Sequence, residues 1–198
     1  MSVMQDMGAR AMALGIPLSA WGALYPTNTW LQIGPVALAL PIAWRTLVHA
    51  PISNASAACM TAFVLLHLLA ARWSYSFVPY DVWLPELASE RNMFDRFVHF
   101  AFGALAMAPI VEGGVRYWGL SPRMGLVFAV LFVLAVGGLY EIFEWSLTLT
   151  LAPEDAGAYN GEQGDVFDAQ KDMALAGAGA VLVAPLVRGA RWWKGIVQ

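Results

Sequence analysis

Apolar stretches long enough to cross a bilayer fill most of this chain, and they limit its fold before any single residue is considered. A spanning helix needs roughly 20 mostly apolar residues. Six segments approach that length, at about 8–25, 29–45, 55–75, 94–115, 123–149 and 172–188. Lipid offers no partner for backbone N–H and C=O groups, so runs of this length must be helical. The expectation is one all-α domain over 1–198, a polytopic transmembrane bundle of about six spans. The first two segments are short and contain Pro17, Pro35 and Pro41, so they read as tilted or kinked spans or as a re-entrant pair. Pro51, Pro79, Gly113-Gly114, Pro122 and Pro153 separate the others. The last segment is rich in Ala and Gly from Ala174 to Ala180, a surface that lets helix backbones approach closely.

Basic residues set the expected orientation, because cytoplasmic loops collect Lys and Arg. With six spans both termini share a side that carries Arg10, Arg45, Arg116, Arg123, Arg188, Arg191 and Lys194. The opposite side carries Arg72, Arg91, Arg96 and Lys171. Both termini are therefore expected in the cytoplasm. Indoles favour the headgroup zone, and Trp21, Trp30, Trp73, Trp83 and Trp145 fall at predicted outer ends, while Trp44, Trp118, Trp192 and Trp193 fall at inner ends. The N-terminus reads as an uncleaved first span and not a signal peptide, since Asp6 spoils the basic region and Pro17 interrupts the apolar run. The lone Cys59 excludes an internal disulfide. A formal charge of −3 without a basic aromatic patch excludes nucleic acid as a partner. Membrane lipids are the expected partners, with a homo-oligomer or a membrane complex left open.

Only 13% of the residues are charged, and the acids gather in short motifs. These are Asp95-Arg96-x-x-His99, Tyr140-Glu141-x-x-Glu144 and Gly164-Asp165-x-x-Asp168-x-x-x-Asp172, with His67 upstream. Residues three or four apart share a helix face. Each motif thus offers a pair of ligands or acid–base groups from one helix. All lie near predicted outer ends of spans, at one depth. Ionisable groups at membrane depth are functional candidates, and carboxylates with imidazole suit a divalent cation such as Mg, Mn, Ca, Zn or Fe. The expected metal ligands are Asp95, His99, Glu141, Asp172 and His67. Glu144, Asp165 and Asp168 are the acid–base candidates. Arg96, Lys171, Tyr75 and Tyr140 are the substrate-binding candidates, the two cations for an anionic headgroup or phosphate. The competing reading is structural: Asp95 beside Arg96 and Asp172 beside Lys171 as pairs that knit helix ends together. Glu112 stands four residues before Arg116 and is expected to pair with it, or else to form a second polar station across the bilayer. His49 reads as surface. No P-loop, dinucleotide fingerprint or nucleophile elbow occurs.

The strings Tyr75-Ser76-x-Val78-Pro79, Asn92-x-x-Asp95-Arg96-x-x-His99-Phe100-x-x-Gly103, Tyr140-Glu141-x-x-Glu144-Trp145 and Gly161-x-Gln163-Gly164-Asp165-x-x-Asp168-x-Gln170-Lys171-Asp172-Met173 resemble the bacterial YjdF-type inner membrane proteins, a family without an assigned function. The resemblance covers about residues 28–188. Phe167 departs from the family's usual Trp, Ala169 and Glu162 from its usual Thr, and Gln32 stands where a Glu is expected. The resemblance implies a polytopic inner-membrane protein and no particular activity. A fainter likeness to VanZ-type proteins, linked to teicoplanin resistance, points by analogy to the cell envelope. The leading expectation is a divalent-metal-dependent membrane enzyme acting on a lipid or lipid-linked envelope substrate. A small transporter or ion- or proton-binding protein and a non-catalytic subunit or assembly factor are the alternatives.

Overall fold

The computed structural model describes residues 1–49 and 52–189. Pro51, Arg191, Trp192, Trp193 and Lys194, used above for a helix break and for orientation, lie outside the described residues. Every regular element among the described residues is helical. The order is α1 (Val3–Ala20), α2 (Pro26–His49), α3 (Asn54–Arg72), α4 (Tyr80–Trp83), a 3-10 turn (Pro85–Leu87), α5 (Phe94–Tyr117), α6 (Pro122–Thr148), α7 (Pro153–Asn160) and α8 (Asp168–Gly189).

Local chemistry sets these boundaries. Ser2 caps α1 in a reciprocal box with Gln5, so the helix starts earlier than its apolar run suggests. Ser53 caps α3, and Ser121 caps α6 with Pro122 in its first turn. Pro35 and Pro41 sit inside a continuous α2. Helix α8 begins at Asp168, four residues before the apolar run, which places Asp168 and Asp172 one turn apart on one face.

Four of these helices, α3, α5, α6 and α8, are long and apolar enough to cross a membrane. Polar insertions set α1 and α2 apart: Gln5, Asp6 and Arg10 in the first, Asn28, Gln32 and Arg45 in the second. In α6 the most apolar window has a mean hydropathy of 2.4, yet only 17% of it is buried inside the protein. Its exposed Leu131 and Leu139 are the surface expected of a helix solvated by lipid.

The core lies among α5, α6 and α8, around Met107, Val111, Ala129, Val133, Ala176 and Ala180. Its tightest seam joins α5 to α8. A Cβ on Gly103 would stand 1.8 Å from the Ala176 carbonyl oxygen, and one on Gly179 would stand 2.2 Å from that of Phe100. Backbone touches backbone there, so neither position has room for a methyl group. The Ala/Gly-rich face expected of the last span is this seam.

Helices α1 and α2 pack on α3 through buried hydrogen bonds. Ser19 Oγ donates to the Leu68 carbonyl at 2.6 Å and Thr29 Oγ1 to that of Ala71 at 2.9 Å. Arg72, counted above among the outer cations, donates to the carbonyls of Leu18 and Trp21 and so ties α3 to the end of α1. Glu112 is fully buried. Its carboxylate pairs with Arg116 Nε at 3.1 Å and accepts from Ser53 N at 2.7 Å, Ser53 Oγ at 2.7 Å and Ser56 Oγ at 2.5 Å. The expected pair forms, and the same carboxylate also satisfies the N-terminus of α3.

Two outcomes follow from this packing. Gly103→Ala forces a side chain into a backbone carbonyl and should lower stability by about 2 kcal/mol or more, read as a fall in the thermal midpoint of detergent-solubilised protein. Glu112→Ala strands the donors at the start of α3 and should cost about 3–5 kcal/mol by the same measurement.

Candidate carboxylate–histidine centre

The α5–α8 seam fixes the depth of the site. Gly103 lies one turn after His99, and Ala176 lies one turn after Asp172. The backbone contact at 103 and 176 therefore brings His99 and Asp172 to one level, with Asp95 a turn above. Asp95, His99 and Asp172 are each buried, with 7%, 7% and 2% exposure. One ligand atom from each lies within 4.8 Å of the others. Opposite oxygens on a Ca2+ ion stand about 4.6–5.2 Å apart, given Ca–O distances of about 2.3–2.6 Å, so the three atoms fit around one cation.

Helix α6, packed on both α5 and α8, adds further groups. Glu141 Oε1 approaches His99 Nε2 at 3.7 Å, and Asp95 Oδ1 approaches the same nitrogen at 3.6 Å. Both are too long for hydrogen bonds. Tyr140 sets its ring edge-on to His99, with centroids 6.1 Å apart. Glu144, one turn along from Glu141, lies within electrostatic reach of Asp95, Asp172, Tyr140 and Tyr159. Two buried carboxylate oxygens here find no hydrogen-bond partner among the described residues, Asp172 Oδ1 and Glu141 Oε1. Buried polar groups are nearly always paired, so two bare carboxylate oxygens beside one histidine leave room for a further partner.

The acids divide into two layers. In the outer layer Asp168 Oδ1 pairs with Arg91 at 2.5 Å and with Arg96 at 3.0 Å. Asp165 pairs with Arg96 and with Lys171. Two acids meet three cations there. In the inner layer Asp95, Glu141 and Asp172 gather on one imidazole, with Glu144 a turn from Glu141, and none of the four forms an ion pair with a Lys or Arg among the described residues. The structural pairing of Asp95 with Arg96 and of Asp172 with Lys171 does not form. Each cation turns outward to Asp165 or Asp168 instead.

His67 was expected among the ligands, but both its ring nitrogens are engaged. Nε2 bonds to the Gln32 carbonyl at 3.0 Å and Nδ1 to the Tyr75 hydroxyl. Ser74 and Tyr75 follow α3 at φ of 44° and 56°, a left-handed region that costs about 1–3 kcal/mol per ordinary residue. That turn folds Tyr75 back towards His67. Burial, reinforced by the nearby Asp95, holds the Tyr75 phenol well above its ordinary pKa. Burial likewise raises the Tyr159 phenol. Both stay protonated at neutral pH.

The loops before α5 and after α7 roof the centre. Helix α7 ends at Gly161, φ 63°, where a Cβ would meet Ser76 Oγ at 2.1 Å and Asp95 Oδ2 at 3.9 Å. Arg91 donates to the carbonyls of Gly161 and Glu162 as well as to Asp168. One side chain from the loop before α5 thus fastens both the loop after α7 and the start of α8. Arg91 and Tyr159 belong to the site although their local sequence gives no motif. Arg91 lies in an irregular loop, and Tyr159 in a short helix without apolar periodicity.

Comparisons with known proteins agree with this architecture. The profile of the family described as predicted membrane protein (DUF2238) matches residues 8–193. The chain is 28% identical over 156 residues to inner membrane protein YjdF of Escherichia coli (strain K12), covering 77% of this chain and 74% of that one. No solved structure matches it. The helices and the relatives together make the chain a multi-pass inner membrane protein.

The outer layer has a pH signature. Lys171, with Arg96, holds the Asp165 carboxyl well below the usual carboxylate range. A depressed native pKa means that the unfolded chain takes up the proton first as pH falls. The stabilisation from Asp165 is therefore present at neutral pH and is lost on acidification below about pH 4. Asp165→Asn should lower the thermal midpoint at pH 7, with the gap to wild type narrowing from pH 4 towards pH 3.

Proposed function

The chain belongs to the DUF2238 family of predicted membrane proteins, and from that premise we propose that it is a divalent-metal-dependent membrane enzyme acting on a lipid or lipid-linked envelope substrate. The observation that carries this reading is the buried Asp95–His99–Asp172 triad, with ligand atoms within 4.8 Å of one another and with Asp172 Oδ1 and the adjacent Glu141 Oε1 left without partners. Leaving several carboxylates ionised in low dielectric costs several kcal/mol per unpaired charge. A divalent cation offsets that cost and supplies the missing partners. One imidazole among carboxylates favours Mn2+, Fe2+ or Zn2+ over Ca2+. Asp95, His99, Asp172 and Glu141 hold the ion, Glu144 is the acid–base group beside it, and the bound metal polarises a phosphoryl or acyl oxygen. Asp165, Asp168, Arg96 and Lys171 take a different part from the one their motifs suggest: they form the ion-paired frame around the centre.

In this reading α1 and α2 complete a six-span bundle with both termini cytoplasmic, so the site faces the periplasm. Supporting contacts join like ends of α1 and α3, Ser2 to Asn54 and Ser19 to Leu68, so α1 runs parallel to a spanning helix over its length. Thr29 meets Ala71 and Gln32 meets His67, so α2 runs antiparallel to it. Transport is the weaker reading, because Glu112, the candidate second station, is engaged by Arg116, Ser53 and Ser56.

Purified protein should carry close to one equivalent of a transition metal by elemental analysis. Asp172→Asn or His99→Ala should weaken its retention at least about tenfold, a loss of about 1.4 kcal/mol or more. Asp165→Asn should retain it. A folded wild-type protein that takes up no added Mn2+, Fe2+ or Zn2+ refutes the proposal.

A further inference from the structure

A second feature lies directly beneath the carboxylate–histidine centre. Helices α3 and α6 both pack on α5, but no comparable interface joins them to each other. Between them is a cavity of about 200 Å³, walled by side chains of α2, α3, α5 and α6. Its walls are Val36, Phe63, Val64, Val98, Phe102 and Val136, and its polar groups are His67, Tyr75, His99 and Tyr140.

Three properties identify an occupant. First, the two ring nitrogens of His67 and the hydroxyl of Tyr75 are already bonded to each other and to Gln32, so the lower walls offer water few partners. A cavity of this size with apolar walls stays dry and accepts hydrocarbon. Second, Val64, His67, Val136 and Tyr140 are only partly buried. They lie on the sides of α3 and α6 facing the gap, so the cavity opens sideways, and among spanning helices that side is acyl chain. Third, His99 and Tyr140, which pack edge-on in the site above, also line the cavity. The space is apolar along its walls, polar at one end and open to lipid between two spans.

We propose that this cavity is the chain-binding slot of a phospholipid, entered laterally between α3 and α6, which seats one acyl chain and delivers the headgroup end to the His99 side. The inference deepens the metal-enzyme reading by naming a phospholipid as the substrate class and a lateral route to the centre. The slot itself rests on the walls and not on the metal. The occupant's polar end meets Tyr140 and His99, and its chain lies against Phe63, Val64, Phe102 and Val136.

Gly137 supplies the test. It lines the slot, is buried in the middle of α6, and a Cβ there would meet nothing within 4 Å. Gly137→Leu therefore fills the slot without colliding with backbone, and Val64→Phe plugs it from the opposite wall. Gly34, on α2, also has open space around its Cβ and does not line the slot, so Gly34→Leu is the control.

Full-length protein is reconstituted in phosphatidylethanolamine and phosphatidylglycerol vesicles doped with a phospholipid bearing a diazirine on its acyl chain. It is then irradiated and mapped by peptide mass spectrometry. The expected result is saturable labelling of Phe63, Val64, Phe102 and Val136, reduced about tenfold by either plug and unchanged by Gly34→Leu. Thermal midpoints of the plugged variants within a few degrees of wild type establish that they are folded. If both plugs prevent folding, excess unlabelled phospholipid must instead suppress the wild-type labelling, and failure to do so overturns the proposal. Labelling confined to outward residues such as Leu131, Leu139 and Leu182 shows ordinary surrounding lipid and overturns it. So does cross-linking of Val64 to Val136 of a second copy in place of lipid. Asp172→Asn separates the two readings: slot labelling that persists without metal leaves the slot standing, and wild-type protein that is labelled but metal-free overturns only the metal assignment.

Discussion

Everything at the outer end of this bundle depends on how closely α5 and α8 approach. Two helices normally keep side chains between their axes. Here Gly103 and Gly179 remove them, and carbonyl oxygens of the facing helix occupy the space. Such contact gives up side-chain burial and gains a fixed depth and rotation, because a backbone surface cannot slide without steric collision. In lipid, where no hydrophobic force drives helices together, close packing of small residues is a main source of association. The seam therefore stabilises the fold and sets the register that holds His99 and Asp172 level.

That register creates an electrostatic problem, which the protein solves for only half of its acids. Arg91, Arg96 and Lys171 neutralise Asp165 and Asp168 at the rim. Asp95, Glu141 and Asp172 gather on a single histidine, with Glu144 a turn from Glu141. A centre serving only to pack helices would distribute three cations over all six acids. The cations are instead confined to the rim, where they frame the opening and fasten the loops over it. The inner carboxylates are left to bind protons or a cation.

Much of the layout was legible in the sequence because helical spacing is a local code. Asp95 with His99, Glu141 with Glu144, and Glu112 with Arg116 are pairs that a turn of helix produces without help, and the Ala/Gly run of the last span announced close packing. Partition of the charges was not legible. It is decided by Arg91, which reaches Asp168 across 77 residues from an irregular loop. The place of His67 was equally hidden, since Tyr75 reaches it only through two consecutive left-handed residues that no apolar pattern encodes. Arg72 joined the outer cations by chain position, yet its guanidinium is taken up by carbonyls at the end of α1.

The engaged His67 still shapes the chemistry of the slot beneath the centre. Its Nε2 faces a backbone carbonyl, which can only accept, so Nε2 must carry the proton. Nδ1 is then the acceptor, and the Tyr75 hydroxyl must donate to it. With its single proton committed, the Tyr75 oxygen offers only lone pairs to anything nearby. Tyr140, edge-on to His99, hydrogen-bonds with its phenol neighbours Tyr75 and Tyr159. The two phenols at the top of the slot are thus chemically different although both line it: Tyr75 gives its proton to His67, and its lone pairs accept from Tyr140.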